Sequence, residues 1–270
     1  MDRAKLSLNQ YTVRPWSLEE AVAGCVKREI PSIAVWRDKI AEIGLARATR
    51  LLKNAGLRAS SVCRGGFFPD ASASERARRI EDTRRAIDEA VALGAPTLVL
   101  VCGPAAGQPL DVARGQVEAA IAACARDALA AGVRLAIEPL HPMMIAERSV
   151  ITTLGEANDL CDRVASPAVG IVCDVYHVFW DVRVHAELAR AGARIAGFHL
   201  SDWTTPRGGD VTASRAMLGD GCIEFTTLAR DVAGAGYTGD VEIEILNETA
   251  WSGDLDAWLD TAVARYSAIP

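Results

Sequence analysis

Four residues able to ligate a hard cation stand at the ends of short apolar runs. Glu138 closes Arg134-Leu-Ala-Ile-Glu138, Asp174 closes Ile171-Val-Cys-Asp174, His199 closes Ile195-Ala-Gly-Phe-His199, and Glu244 lies in Val241-Glu-Ile-Glu-Ile245. Three carboxylates and one imidazole form an oxygen-rich donor set suited to one divalent metal ion, Mn²⁺ foremost, with Mg²⁺ or Co²⁺ also served. No cysteine belongs to the set, which argues against structural zinc. Taken singly, each has a plainer reading: a strand-end glutamate as a salt-bridge partner, His199 as a satisfied core histidine. Taken together they resist it, because gathering three carboxylates in one interior without a cation costs several kcal/mol per unpaired charge. In Val241–Ile245, strict alternation puts Glu242 and Glu244 on one face, with Glu244 nearer the strand end.

The elements that must position these residues are legible as a repeat. Strand-like runs are expected at Lys5–Asn9, Ser32–Trp36, Ala59–Cys63, Thr97–Cys102, Arg134–Glu138, Gly170–Asp174, Ile195–Leu200 and Val241–Leu246. Between them lie segments of helical spacing, including Ser74–Leu93, Asp111–Ala131, Thr153–Val164 and Glu224–Ala235. Ser74 is expected to cap its helix, Glu19 and Glu20 to occupy a first turn, and Gly56, Gly94, Gly132 and Gly236 to follow helix C-termini. Strand and helix alternate roughly eight times at intervals of about 30 residues, the pattern of repeated βαβ units. At 270 residues the chain fits an α/β fold formed as a single (β/α)8 TIM barrel, one domain over 1–270. An open dinucleotide-binding sheet would carry a GxGxxG turn after its first strand, and Asn9-Gln10-Tyr11 stands there instead.

Composition narrows the partners. A formal charge of −6 and the lack of a basic run interleaved with aromatics give no footprint for nucleic acid. No segment approaches the ~20 apolar residues of a membrane span and no signal core follows Met1, so a cytoplasmic location and no membrane partner are expected. The seven cysteines are odd in number and form no CxxC pair, as expected of reduced thiols. The irregular stretch from Thr204 to Gly219 reads as a lid, and Gly219-Asp-Gly221 as a turn rather than a phosphate cradle. Trp36, directly after the second strand, offers an aromatic wall for a sugar, with ordinary loop packing as the alternative. Trp251 and Trp258 read as helix-packing residues, and a homo-oligomer stays open.

The strings Ala136-Ile-Glu-Pro-Leu-His141, Cys173-Asp-Val-Tyr-His177, Gly197-Phe-His-Leu-Ser-Asp-Trp203, Gly219-Asp-Gly221 and Val241–Ile245 together resemble the xylose-isomerase-like sugar isomerase and epimerase superfamily. The resemblance implies one divalent metal on Glu138, Asp174, His199 and Glu244 and a small carbohydrate or polyol as substrate. It also implies a substrate contact from His177, three residues after the aspartate. Ketose 3-epimerases carry Asn-Arg where this chain has His141-Pro142, and their substrate arginine is matched loosely by Arg207. His141 and Arg207 therefore enter as substrate-binding candidates. The implied chemistry is isomerisation or epimerisation of a keto-sugar or keto-polyol by carboxylate-mediated proton transfer, Glu138 and Glu244 serving a metal-bound enediolate. The alternative is a lyase or dehydratase expelling a β-substituent from a keto-inositol or 3-keto-glycoside, with His141 and His177 as added acids. The three-metal apurinic-site endonucleases of the same superfamily need more histidines than the four present. A non-catalytic sugar-binding barrel would keep the cage but lack turnover.

Overall fold

Eight parallel strands close on themselves in chain order, β1 Leu6–Asn9, β2 Ser32–Trp36, β3 Arg58–Gly66, β4 Thr97–Val101, β5 Arg134–Ile137, β6 Val169–Asp174, β7 Ile195–Leu200 and β8 Val241–Ile243. The computed structural model describes residues 1–270, and the architecture is a single (β/α)8 TIM barrel. Closure rests on the β1–β8 register, in which Leu6, Ser7 and Leu8 pair with Val241, Glu242 and Ile243. Strands covered on both faces read as unbroken apolar runs. Accordingly all five residues of β4, Thr-Leu-Val-Leu-Val, are buried.

The helices begin and end where local chemistry dictates. Ser17 and Glu20 form a reciprocal capping box at Leu18–Lys27, and Thr153 and Glu156 form another at Leu154–Val164. Gly56, Gly94 and Gly132 hold the left-handed conformation directly after their helices. Gly236 also has positive φ, but it follows Ala235, the cap of Phe225–Gly234. One cap differs from the sequence reading: Ser72, not Ser74, accepts the backbone N–H of Glu75 at 3.4 Å. Ser74 lies inside the helix, which starts a residue earlier at Ala73. The physical reason is the Asp70-Ala-Ser72 turn, where Asp70 Oδ1 accepts the Ser72 N–H at 2.9 Å and presents that serine to the helix.

One hydrophobic cluster of 65 buried residues extends from Leu6 in β1 to Tyr266 in the last helix, Leu255–Ala268, so the helical shell and barrel wall share one core. Inside the barrel, Cys63, Val99, Ala136 and Val172 form a separate small-residue layer under the mouth. All seven cysteines are free, and six are buried. No helix is long and apolar enough to cross a membrane.

Two strand boundaries bear on function. β5 stops at Ile137 and β8 at Ile243, so Glu138 and Glu244 are the first residues beyond the ladder. Each is still tethered through its backbone N–H, to Leu100 O at 3.1 Å and to Leu200 O at 2.9 Å, which fixes the side chain at the rim.

At Gly66 the φ is +110°, and a Cβ would lie 2.1 Å from the carbonyl oxygen of Val101. Gly66→Ala should therefore destabilise by on the order of 3 kcal/mol, against about 1 kcal/mol for Gly94→Ala, which is also at positive φ but meets open space. Thermal unfolding of both variants beside the parent checks the contrast; equal shifts would contradict it.

Candidate metal centre

The cage assembles from strand ends at the C-terminal face, where barrel strands deliver side chains to a common mouth. Asp174 is the last residue of β6, and its Oδ1 accepts the Tyr176 N–H at 2.9 Å, starting the short helix Val175–Val178. That bond leaves Oδ2 facing the mouth. His199 lies next to it on β7, in register with Asp174. One ligand atom from each of Glu138, Asp174, His199 and Glu244 falls within 4.8 Å of the others, and all four residues are buried. His199 Nδ1 lies 3.0 Å from Glu244 Oε2 and 3.4 Å from Glu138 Oε1.

The donor set fits a divalent cation on several observations. Glu138 Oε1 is a buried atom with no hydrogen-bond partner. Burial drives the Glu138 carboxyl above its ordinary range despite the His199 hydrogen bond, and Asp174 is pushed up to about 7 by burial, only partly offset by Arg215. For Glu244 burial acts in the same direction, but Arg215 and His199 outweigh it and hold the group low. Burial alone would depress His199, yet Glu242, Glu138 and Glu244 hold it well above its usual value. A hollow of this kind concentrates negative charge on a site with too few positive partners.

Glu242 supplies what the four ligands lack. Its Oε2 lies 3.2 Å from His199 Nε2, close but short of full hydrogen-bond alignment. Its Oε1 accepts from Ser60 Oγ at 2.9 Å and Ser61 Oγ at 2.8 Å, and Asn9 Nδ2 approaches Oε2 at 3.4 Å. The carboxylate thus sits on the far side of the imidazole from the cage. In the structure the ring's hydrogen bond runs from Nδ1 to Glu244 Oε2; with a cation in the cage, the Glu242 carboxylate would favour hydrogen on Nε2 and free the Nδ1 lone pair.

Arg215 is the functional candidate that sequence reasoning missed. Its Nη1 donates to Asp174 Oδ2 at 2.7 Å and Ser201 Oγ at 3.3 Å, and reaches Glu244 Oε2 at 3.5 Å. Although it comes from the irregular loop after β7, its backbone is stitched to the end of β8: Arg215 N donates to Leu246 O at 3.0 Å, and Asn247 Nδ2 to Arg215 O at 2.8 Å. Only its place just before Met217-Leu-Gly-Asp-Gly221 could have marked it, since the loop has no periodicity.

The other candidates spread around the cage. His177 is buried, and the backbone N–H of His141 donates to its Nδ1 at 3.2 Å, which puts the ring hydrogen on Nε2. Nε2 lies 3.5 Å from Asp174 Oδ2 and 3.1 Å from Arg215 Nη2. Burial and Arg215 hold His177 well below its usual pKa, so it stays neutral. His141 stacks on Trp203 with ring centroids 4.6 Å apart. Trp36 lines the cavity, stacks on Tyr11 at 3.5 Å and donates its Nε1–H to Asn9 Oδ1 at 2.8 Å. Arg207 does not join them at the cage; it lies over Trp203 and binds Gly209 O at 2.8 Å and Ser214 Oγ at 3.1 Å, bracing the loop.

That loop is anchored at its base by Asp202, which is 1 % exposed. Its carboxylate accepts the N–H groups of Trp203 at 2.8 Å, Gly219 and Gly221 at 2.9 Å each, and Ile223 at 3.0 Å. Gly219-Asp-Gly221 therefore wraps an internal carboxylate, as a turn does. Tyr176 Oη donates to Val211 O at 2.8 Å, and Thr212 lines the cavity, so the loop covers the mouth.

Comparison with known proteins gives the same fold. The chain matches the family described as xylose isomerase-like TIM barrel over residues 27–264. A crystal structure of protein SMc04130 from Sinorhizobium meliloti 1021 is 43% identical over 99% of both chains, with a TM-score of 0.96. IolI with a bound zinc atom is 16% identical over 98% of this chain and 97% of that one, TM-score 0.85. D-allulose 3-epimerase from Methylomonas sp. is 20% identical over 100% of this chain and 99% of that one, TM-score 0.76; both of these likenesses speak to the fold. No curated protein matches the chain.

If Glu242 orients His199 for a cation, Glu242→Gln should weaken binding of Mn²⁺ about 10- to 100-fold while leaving the circular dichroism spectrum intact. Isothermal titration of metal-free protein with Mn²⁺ measures this directly. An unchanged Kd would assign Glu242 to packing alone.

Proposed function

This chain belongs to the xylose isomerase-like TIM-barrel family, and on that premise we propose that it is a divalent-metal-dependent isomerase or epimerase of a small keto-sugar or keto-polyol. The observation that carries the reading is the wholly buried cluster of Glu138, Asp174, His199 and Glu244, with ligand atoms within 4.8 Å of one another under a covered mouth. A divalent cation held there supplies Lewis acidity toward a ketone oxygen and its neighbouring hydroxyl, which acidifies the intervening C–H.

The chain's own residues do the rest. Glu138 and Glu244 approach from β5 and β8, so one can take the proton from the substrate carbon while the other returns one. Return to the same carbon from the opposite face gives epimerisation, and delivery to the adjacent carbon gives isomerisation. His177 and Arg215 lie side by side on the cavity wall, Nε2 3.1 Å from Nη2, and together can orient a substrate oxygen. Trp36 forms an apolar wall of the cavity, while the His141–Trp203 stack lies beside it, outside the lining. The loop Thr204–Gly219 covers the mouth, with Arg207 bracing it from within through Gly209 O and Ser214 Oγ. Burial and Arg215 disfavour a charge on His177, which suits it to hydrogen bonding with a substrate oxygen.

The test is wash-in of solvent deuterium at carbon for a panel of keto-sugars and keto-inositols, followed by NMR with Mn²⁺-loaded protein. Exchange without loss of water is expected, together with about one metal ion per chain. Glu138→Gln and Glu244→Gln should each lower the exchange rate by at least about 10²-fold without unfolding the protein. Absence of stoichiometric metal would remove the reading, and release of water with an ultraviolet-absorbing enone would transfer the chain to the lyases.

A further inference from the structure

Two arginines at the mouth have no counter-charge. Arg64 and Arg148 line the same cavity as Glu138, His177 and Glu244. Both guanidinium groups sit against one aromatic ring, Arg64 at 4.0 Å and Arg148 at 5.6 Å from the Phe67 centroid. The Arg64 side chain makes no hydrogen bond or ion pair, and Arg148 Nε is buried without a partner. Their half-buried neighbours are treated differently. Arg37 holds Asp82 at 2.8 Å and Glu89 at 2.6 Å, and Arg79 holds Asp70 at 2.7 Å.

The backbone aims Arg64 inward deliberately. In a regular strand Cys63 and Arg64 would point to opposite faces, yet both line the cavity. The register of β3 against β4 shifts between Cys63 and Gly65, and such a bulge re-aims a side chain. Burial and the nearby Arg148 charge hold Arg64 down at about 10, the mark of a cation kept in poor company. Next to it opens an outer recess of about 480 Å³ that shares Trp36, Cys63 and Arg64 with the inner cavity. The one unpaired carboxylate on its wall, Asp38, accepts the Tyr11 hydroxyl at 2.7 Å.

Two like charges that share one partly buried cavity repel each other, and an anion placed between them offsets that repulsion. We propose that Arg64 and Arg148 receive an anionic substituent of the substrate, a carboxylate or phosphate carried at the end of the polyol chain remote from the metal-facing carbons. The inference rests on the isomerase reading for its assignment to substrate, but the anion site is testable by binding alone. A planar guanidinium pair recognises either anion through charge-assisted hydrogen bonds. The neutral hydroxyl terminus of an ordinary ketose would leave both cations unanswered.

The experiment is isothermal titration of Mn²⁺-loaded protein with three matched ligands: xylitol, D-xylonate and xylitol 5-phosphate. At least one anion should bind about tenfold or more tightly than xylitol, and the larger gain identifies carboxylate or phosphate as the source. In the Arg64→Met/Arg148→Met double variant the gap should collapse, with xylitol affinity and Mn²⁺ stoichiometry unchanged. The Arg64→Lys/Arg148→Lys variant, which keeps the charges, should retain part of it. The proposal is overturned if xylitol binds as tightly as both anions, if no ligand binds, or if the preference survives in the methionine variant. An anion preference without C–H exchange would remove the isomerase reading and leave this one; exchange confined to neutral ketoses would do the reverse.

Discussion

Three carboxylates gathered where water cannot reach must be answered by positive charge, and much of the upper barrel is arranged around that demand. Desolvation opposes each ionised group by several kcal/mol, and mutual repulsion adds to it. The protein supplies one fixed answer, the Arg215 guanidinium on Asp174, and a second through His199, whose charge is favoured by Glu242, Glu138 and Glu244. A divalent cation bound at the His199 Nδ1 would take the place of that imidazole proton and complete the balance. Nothing apolar could replace this cluster without losing the ligands, so its electrostatic penalty is tolerated for what it holds.

Distribution along the barrel axis follows from the same demand. Polar groups that only orient others lie deeper: Ser60, Ser61 and Asn9 hold Glu242, and Glu242 addresses His199 from below. Groups that can meet a ligand lie at the rim, where β5 and β8 release Glu138 and Glu244 from the ladder. At the opposite end the chain termini meet, where the Met1 ammonium donates to Ile269 O and Tyr266 Oη to Asp2 O at 3.0 Å. Stability and chemistry thus occupy different ends of one barrel.

Around the rim, aromatic rings do two jobs. Tyr11 stacks on Trp36, which lines the inner cavity, and His141 stacks on Trp203 outside that lining, each pair stiffening its part of the rim. Phe67 instead lies against both Arg64 and Arg148, whose guanidinium groups stand 4.0 and 5.6 Å from its centroid. The loop from Thr204 to Gly219 joins the rim because Asp202 anchors its far end and Asn247 clasps Arg215. Its irregular sequence is compatible with such order because side chains and β8, rather than a local repeat, satisfy its backbone.

The sequence by itself determined the barrel and the identity of the four clustered residues. Apolar runs of strand length, alternating with helices punctuated by glycine and capping residues, leave few other ways to bury both faces of every strand. A polar residue ending such a run is carried to the mouth by the period of the strand, so Glu138, Asp174, His199 and Glu244 were readable in one dimension. Only the tertiary structure decided what came from irregular backbone or from a break in period. Arg215 reaches the cage because its loop is stitched to β8, whereas the nearer Arg207 is spent on the loop itself. Arg64 turns inward at a bulge, and Glu242, sharing a face with Glu244, backs His199 only because β7 and β8 are neighbours in register. Ser72 displaced Ser74 as a cap through a turn set by Asp70. In each case the deciding force is a contact between residues far apart in the chain or a local turn that no periodicity announces, and such contacts exist only once the barrel has closed.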